Sequence, residues 1–322
     1  GGVADLAVKY LRVYAALSLP IMHFFAVDNY LRICGRVHYS MAMNVGMSLA
    51  NIVLDWLFIG VFGWGIEAAA LASCLSLMCG NIICFLPFFA GKLPLCFTRE
   101  WVGLRLVGNI VANGSSEFFN NISGSVCMII FNAALLSVGG YMAVAAFSII
   151  MYVDSVVKAL LFGMGDALQP AISYNYGAGS PARIWAIERR VQAAGLLLAL
   201  LVLTFMQIGG EALIGLFAKG DGELLSMSVR GMRIFSLSYL FTWCAISGSF
   251  FTALNRPVFS LVTAAGQTLL FPVLFLCVLP RLLGLDGIWL SPVLAGAASF
   301  LMCILFLLDT SRRLSSGQRQ RA

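Results

Sequence analysis

Val258-Phe-Ser-Leu-Val-Thr-Ala-Ala-Gly-Gln-Thr-Leu-Leu-Phe-Pro-Val-Leu-Phe-Leu-Cys-Val-Leu-Pro280 runs for 23 residues between Arg256 and Arg281 without a charged side chain. As an α-helix rising about 1.5 Å per residue it is about 35 Å long, enough to cross the roughly 30 Å hydrocarbon core of a bilayer. A helix apolar around its whole circumference has no water-facing side, so its solvent is lipid or protein interior. Working outward, apolar segments of spanning length recur at 10–33, 41–62, 66–90, 107–137, 141–166, 192–217, 229–253 and 287–308. No soluble domain fits between them, and the longest polar stretches, about 91–105 and 171–191, read as loops. The composition agrees: of 322 residues 61% are hydrophobic and 11% charged, with a mean hydropathy of +0.94, where soluble domains carry about 25% charged residues. The expectation is an all-α, polytopic transmembrane bundle of nine spans.

The charges then report topology. With loops placed alternately on the two sides, thirteen Lys and Arg fall on one side, among them Arg32, Arg36, Lys92, Arg183, Arg189, Arg190 and Arg256. Six fall on the other, and Lys158 lies within a span. Basic excess marks the cytoplasmic side, which predicts a cytoplasmic C-terminus in the cell (cytoplasmic or inner) membrane. A net charge of +6 raises nucleic acid as a partner, but the basic residues form no face or stripe, which argues against it. The nine cysteines contain no Cys-x-x-Cys and lie mostly in apolar runs, and His23 and His38 have no ligand-spaced partners, so neither disulfides nor a metal site is expected.

Self-comparison shows a repeat. Tyr10-Leu-Arg-Val-Tyr14 recurs as Gly231-Met-Arg-Ile-Phe235, Gly35-Arg36-Val37 as Asn255-Arg256-Pro257, and Gly46 and Leu49 as Gly266 and Leu269. The offset stays at 220 to 222 across three helices. Three further helices precede the second copy and have no counterpart before residue 1, so a symmetric parent has six helices per half, the build of many transporters. The expected organisation is 1–90 as the C-terminal half of a first lobe, 91–105 as a cytoplasmic linker, 106–308 as a second lobe and 309–322 as a basic tail. Three helices upstream of Gly1 are expected to complete the first lobe.

Ionisable groups inside spans are costly, roughly 2.5–3.5 kcal/mol each on insertion scales, and are functional candidates for that reason. Asn51 and Asp55 lie four apart in an otherwise apolar run and so on one helical face. A carboxylate beside a carboxamide can coordinate Na+, or take up a proton when desolvation disfavours its charge. At an offset of 220 these positions become Phe271 and Phe275, so symmetric packing does not require them. Glu117, in Gly114-Ser-Ser-Glu-Phe-Phe-Asn-Asn121, is a second proton or cation candidate, with a solvated helix end as the plainer reading. Asp154 and Lys158, also four apart, form either a structural ion pair or a proton relay. Gly163-Met-Gly-Asp166 matches a short signature of intramembrane aspartyl proteases, whose second Asp and Pro-Ala-Leu motif lack a counterpart. Pro20 and Pro272 lie within spans and are expected to kink them.

Four stretches in this order carry a resemblance: Asn29-Tyr-Leu-Arg-Ile-Cys-Gly-Arg36, Asn51-Ile-Val-Leu-Asp-Trp-Leu-Phe-Ile59, Gly65-Ile-Glu-Ala-Ala-Ala-Leu-Ala-Ser73 and Ala167-Leu-Gln-Pro-Ala-Ile-Ser-Tyr-Asn-Tyr-Gly-Ala178. Together they resemble the bacterial branch of the multidrug and toxic compound extrusion (MATE) family, over its fourth to twelfth helices. The resemblance implies a monomeric H+- or Na+-coupled antiporter without cofactor, embedded in the lipid bilayer, that exports small amphipathic organic cations by alternating access between two lobes. It implies a first-lobe cation site at Asn51, Asp55 and Ser73, with Ser in place of the commoner Thr, and assigns Glu117 the acid of the seventh family helix. The acid of the tenth falls near Cys244, which cannot replace it. A lipid-linked precursor flippase of the same superfamily is the nearest alternative, and the intramembrane protease represents a different class.

Overall fold

A computed structural model describes residues 2–91, 93–95, 103–218 and 222–319; the side chains at 2–4, 20, 113, 116, 117, 120, 218 and 314–319 are outside the described set. The described chain is helical throughout, with no strand. It forms two compact units, Gly1–Trp101 and Val102–Ala322.

In the first unit, helix Gly2–Ala16 stops at Leu17 and resumes as Ser18–Ile33. The halves bend by 52°, and together they are long and apolar enough for one broken span. The break falls where Pro20, which has no N–H, faces the carbonyl of Ala16 that a regular helix would pair with residue 20. Helix Val37–Asp55 runs directly into a π turn, Trp56–Val61. After Gly63 (φ 66) reverses the backbone, helix Ile66–Phe89 packs against the other three pieces. Its Ala68, Ala70, Ala72, Ser76 and Gly80 are all buried, small side chains that let neighbouring backbones approach. Phe24, Val27, Leu31, Cys84 and Phe88 form the apolar centre of the unit. Leu19, Phe25, Ile52, Trp56 and Phe89 face outward, as side chains do when the solvent is lipid.

The second unit starts with helix Leu104–Gly177, broken at Gly140 (φ 66, ψ −164). Unbroken, its 74 residues would reach about 110 Å, far beyond one bilayer; the break makes two helices of it, 104–139 and 141–177. Helix Pro181–Ala218 follows, then a span over 222–253 interrupted by the 3-10 turn Trp243–Ala245. Pro257–Ala265 continues through a π turn, Gly266–Leu270, into Phe271–Leu283, and Leu285–Arg319 ends the described chain. Pro272 sits just after that π turn, where it has no N–H for Thr268. Phe131 stacks on Phe147 (5.6 Å), which meets Trp289 (6.1 Å) at the core. Gly231 is glycine because a Cβ there would come within 2.9 Å of the Trp289 ring. Among the described residues seven helices are long and apolar enough to span, eight with the bent pair counted as one span; with the Gly140 break dividing one of them the count is nine.

Two helices run past the apolar stretches that mark them, in the first case where a loop was expected. The polar stretch 171–191, expected as a loop, is a turn of three residues, 178–180: Gly179 adopts φ 66 and Pro181 opens the next helix. The charges of Arg183, Arg189 and Arg190 end an apolar run without ending a helix, because the backbone hydrogen-bonds itself whatever the side chains are. Likewise the last helix passes residue 308 to Arg319, and Arg256 binds Asp309 (3.3 Å) and Thr310 (3.1 Å) within it.

The repeat is visible in the turns. Cys34, Gly35, Arg36 and Ser40 donate their N–H groups to the carbonyls of Tyr30, Arg32, Leu31 and Arg36; Leu254, Asn255, Arg256 and Ser260 do the same to Phe250, Thr252, Phe251 and Arg256, each pair 220 apart. Gly35 (φ 77) corresponds to Asn255 (φ 56), asparagine being the side chain that best tolerates this region. The turn 174–184 uses the same bonding, so the backbone alone is not diagnostic. More specific is the buried serine: Arg32 Nε donates to Ser40 Oγ at 3.2 Å, and Thr252 Oγ1 meets Ser260 Oγ at 2.7 Å.

Candidate functional site

Helices Val37–Asp55 and Ile66–Phe89 bring the first predicted group together. Asn51 Nδ2 donates to Ser73 Oγ at 3.3 Å, with both residues half-buried. One helical turn on, Asp55 ends its regular helix with Oδ1 buried and without a hydrogen-bond partner. A carboxylate oxygen only accepts, so in a dry place it calls for a proton, a cation or a donor. The π turn begins at the next residue, and Phe62 N–H reaches back five residues to Leu57 O (2.9 Å). Such single-turn widenings often mark functional positions in helices. Here the turn feeds an aromatic group in which Trp64 lies 5.0 Å from Phe58 and 5.5 Å from Phe62.

Glu117 lies on helix 104–139, and its side chain is outside the described residues. Asp154 and Lys158 do meet, Oδ2 to Nζ at 2.7 Å, with Asp154 buried and the Lys158 side chain 48% exposed. Cys244 is buried in the 3-10 turn, with the Cys303 thiol 4.0 Å from its carbonyl. Asp166 stands on an exposed face, whereas Asp154 is buried in its ion pair.

Two polar groups were not anticipated. In the first unit, buried Asp28 accepts from Arg32 Nη2 (2.6 Å), Ser40 Oγ and Asn44 Nδ2 (3.0 Å). The Asp28–Arg32 spacing of four was the available signal. In the second, Glu188 is 2% exposed and accepts from Gln192 Nε2 at 2.7 Å. Here the spacing was again four, but the surrounding polar residues suggested a loop. Among the described residues no cluster of His, Cys, Asp and Glu could hold a metal ion.

The MatE family model matches residues 118–278, half of the chain. The chain belongs to the MatE family. It is a membrane transporter, not an enzyme, and the intramembrane protease reading of Asp166 falls away. The multidrug export protein MepA of Staphylococcus saprophyticus subsp. saprophyticus is 24% identical to this MatE chain over 320 residues, covering 96% of the chain and 68% of that protein. MepA of Staphylococcus haemolyticus is 22% identical, covering 98% and 70%. The fold is that of an outward-facing multidrug resistance MATE family transporter of the MOP superfamily: TM-score 0.91, 21% identity, 98% of this chain and 71% of that one. A MOP superfamily transporter from Pyrococcus furiosus is similar to the same extent, with a TM-score of 0.90, 21% identity and coverage of 98% and 71%.

Proposed function

We propose that this MatE chain serves multidrug efflux as a cation-coupled antiporter, exchanging H+ or Na+ for small amphipathic organic cations by alternating access. The observation that carries this reading is Asp55: a buried carboxyl oxygen without a donor, one turn from the Asn51–Ser73 pair, at the start of a π turn. Cation uptake at Asp55, with Asn51 and Ser73, neutralises a charge in a dry place, and the first unit repacks in response. That two similar proteins are multidrug export proteins supports the transport class. Glu117 supplies charge attraction for the organic cation, alongside aromatic and Met side chains. Asp154 and Lys158 stay paired as a structural link, with a relay as their alternative role. The flippase alternative wants a basic cavity for a pyrophosphate, and Lys158 is already paired with Asp154.

In this reading residues 1–90 and 106–308 are parts of two lobes joined by the linker 91–105, with 309–322 a basic end. The protein works as a monomer in the cell membrane with its C-terminus in the cytoplasm, the side that basic residues favour. The test is dye efflux in an efflux-deficient host at matched membrane levels: Asp55→Asn is expected to abolish coupled efflux, and full coupled efflux in that variant would overturn the assignment. Glu117→Gln is expected to weaken dye affinity several-fold; unchanged affinity removes Glu117 from substrate binding.

A further inference from the structure

Helix Pro181–Ala218 buries an acid that the transport reading leaves without a task. Glu188 is 2% exposed. Its Oε1 accepts from Gln192 Nε2 at 2.7 Å, and the same amide nitrogen donates to Ser247 Oγ, on helix Ile246–Ala253, at 3.0 Å. Glu188 Oε2 and Gln192 Oε1 are both buried without a hydrogen-bond partner. Among the described residues the carboxyl forms no salt bridge, and the one side chain that donates to it is Gln192. The titratable group in range from helix Leu285–Arg319 is the Cys303 thiol, set beside Cys244 and Thr263, while Arg189 and Arg190 on Glu188's own helix are exposed.

An ionised carboxylate here would have one neutral donor for two acceptor oxygens. Burying such a charge costs far more than one neutral hydrogen bond returns. A neutral acid removes the mismatch. It offers a donor of its own, and Gln192 has an acceptor without a donor. Because amide oxygen and nitrogen exchange places without changing shape, rotating the Gln192 amide lets Oε1 accept from both a Glu188 hydroxyl and the Ser247 hydroxyl. The carboxyl then donates instead of only accepting, and no charge is left in the dry site.

We propose that Glu188, with Gln192 and Ser247, is a proton-binding site of the second unit, loaded in this conformation and emptied when Oε2 gains water. A part for it in coupling rests on the transport reading above; the bound proton does not. The experiment is infrared difference spectroscopy of the full chain in lipid at neutral pH. Wild type is expected to show a C=O stretch of an un-ionised carboxylic acid that is lost in Glu188→Gln and is unchanged when K+ is replaced by Na+. In Gln192→Leu the same band is expected to move to higher frequency as the hydrogen bond to the acid is removed. A spectrum of Glu188→Gln identical to wild type overturns the proposal, and so does loss of the band on adding Na+ at fixed pH, which would make the ligand a metal cation. Should Glu188→Gln not fold, an unmoved band in Gln192→Leu is the overturning result. Failed dye efflux with this band intact would overturn the transport reading alone.

Discussion

Each unit buries a carboxyl oxygen with no hydrogen-bond partner, and the two are built differently. Asp55 ends a helix at a π turn, half-buried, with the neutral Asn51–Ser73 pair one turn away. Glu188 lies within a continuous helix, nearly sealed, and bonded to Gln192. At the repeat offset Asp55 corresponds to Phe275, and Glu188 falls in a stretch without a first-unit counterpart. The repeated feature is the turn: Gly35 and Asn255 take the same backbone, and Ser40 and Ser260 are buried behind them. The charge around it is not repeated. Asp28, Arg32 and Asn44 surround Ser40, where Gly248, Thr252 and Ala264 occupy the corresponding positions. Pseudo-symmetry thus accounts for backbone reversals and leaves the acids unexplained by packing, which is why Asp55 and Glu188 invite functional explanations.

This contrast can be broken by substitution, most strongly at the first turn. Arg32→Ala strands buried Asp28 with two neutral donors and is expected to cost about 3 kcal/mol, while Thr252→Ala at the equivalent place costs about 1 kcal/mol; equal losses in denaturant or thermal unfolding would refute the difference in charge dependence. Asn51→Ala removes the bond to Ser73 and is expected to weaken cation affinity about fivefold, the equivalent of about 1 kcal/mol, read from the cation concentration that half-activates efflux. Gly35→Ala forces an L side chain into the left-handed region, where a Cβ meets no atom within 4 Å, so strain acts alone and about 1 kcal/mol is lost. Asn255→Ala at the matching turn puts a β-carbon without a tolerant side chain in the same left-handed region and is expected to lose stability as well; an unchanged stability there would mean that the two turns are not equivalent.

Much of this was legible in the sequence. Apolar runs mark the spans because lipid rewards nothing else, Pro20 marks a break because it lacks an N–H, and a spacing of four puts Asn51 and Asp55 on one face. The π turns were not legible: one extra residue in a helix is a small energetic adjustment, decided at the first of them where Phe58, Phe62 and Trp64 pack against each other. Glu188 was hidden for another reason. Gly177, Gly179, Pro181 and three arginines around it read locally as a loop, and its burial is decided by residues far along the chain, Ser247 on one helix and Cys303 on another.

The central claim is that a cation at Asp55 drives release of the organic cation. The direct measurement is fluorescence anisotropy of a bound cationic dye on the purified full chain in lipid nanodiscs while Na+ is added, or pH lowered, at constant ionic strength. Wild type is expected to release dye with one of these two cations, and Asp55→Asn to bind dye with unchanged affinity and release none. Release from Asp55→Asn at the wild-type cation concentration would contradict the account.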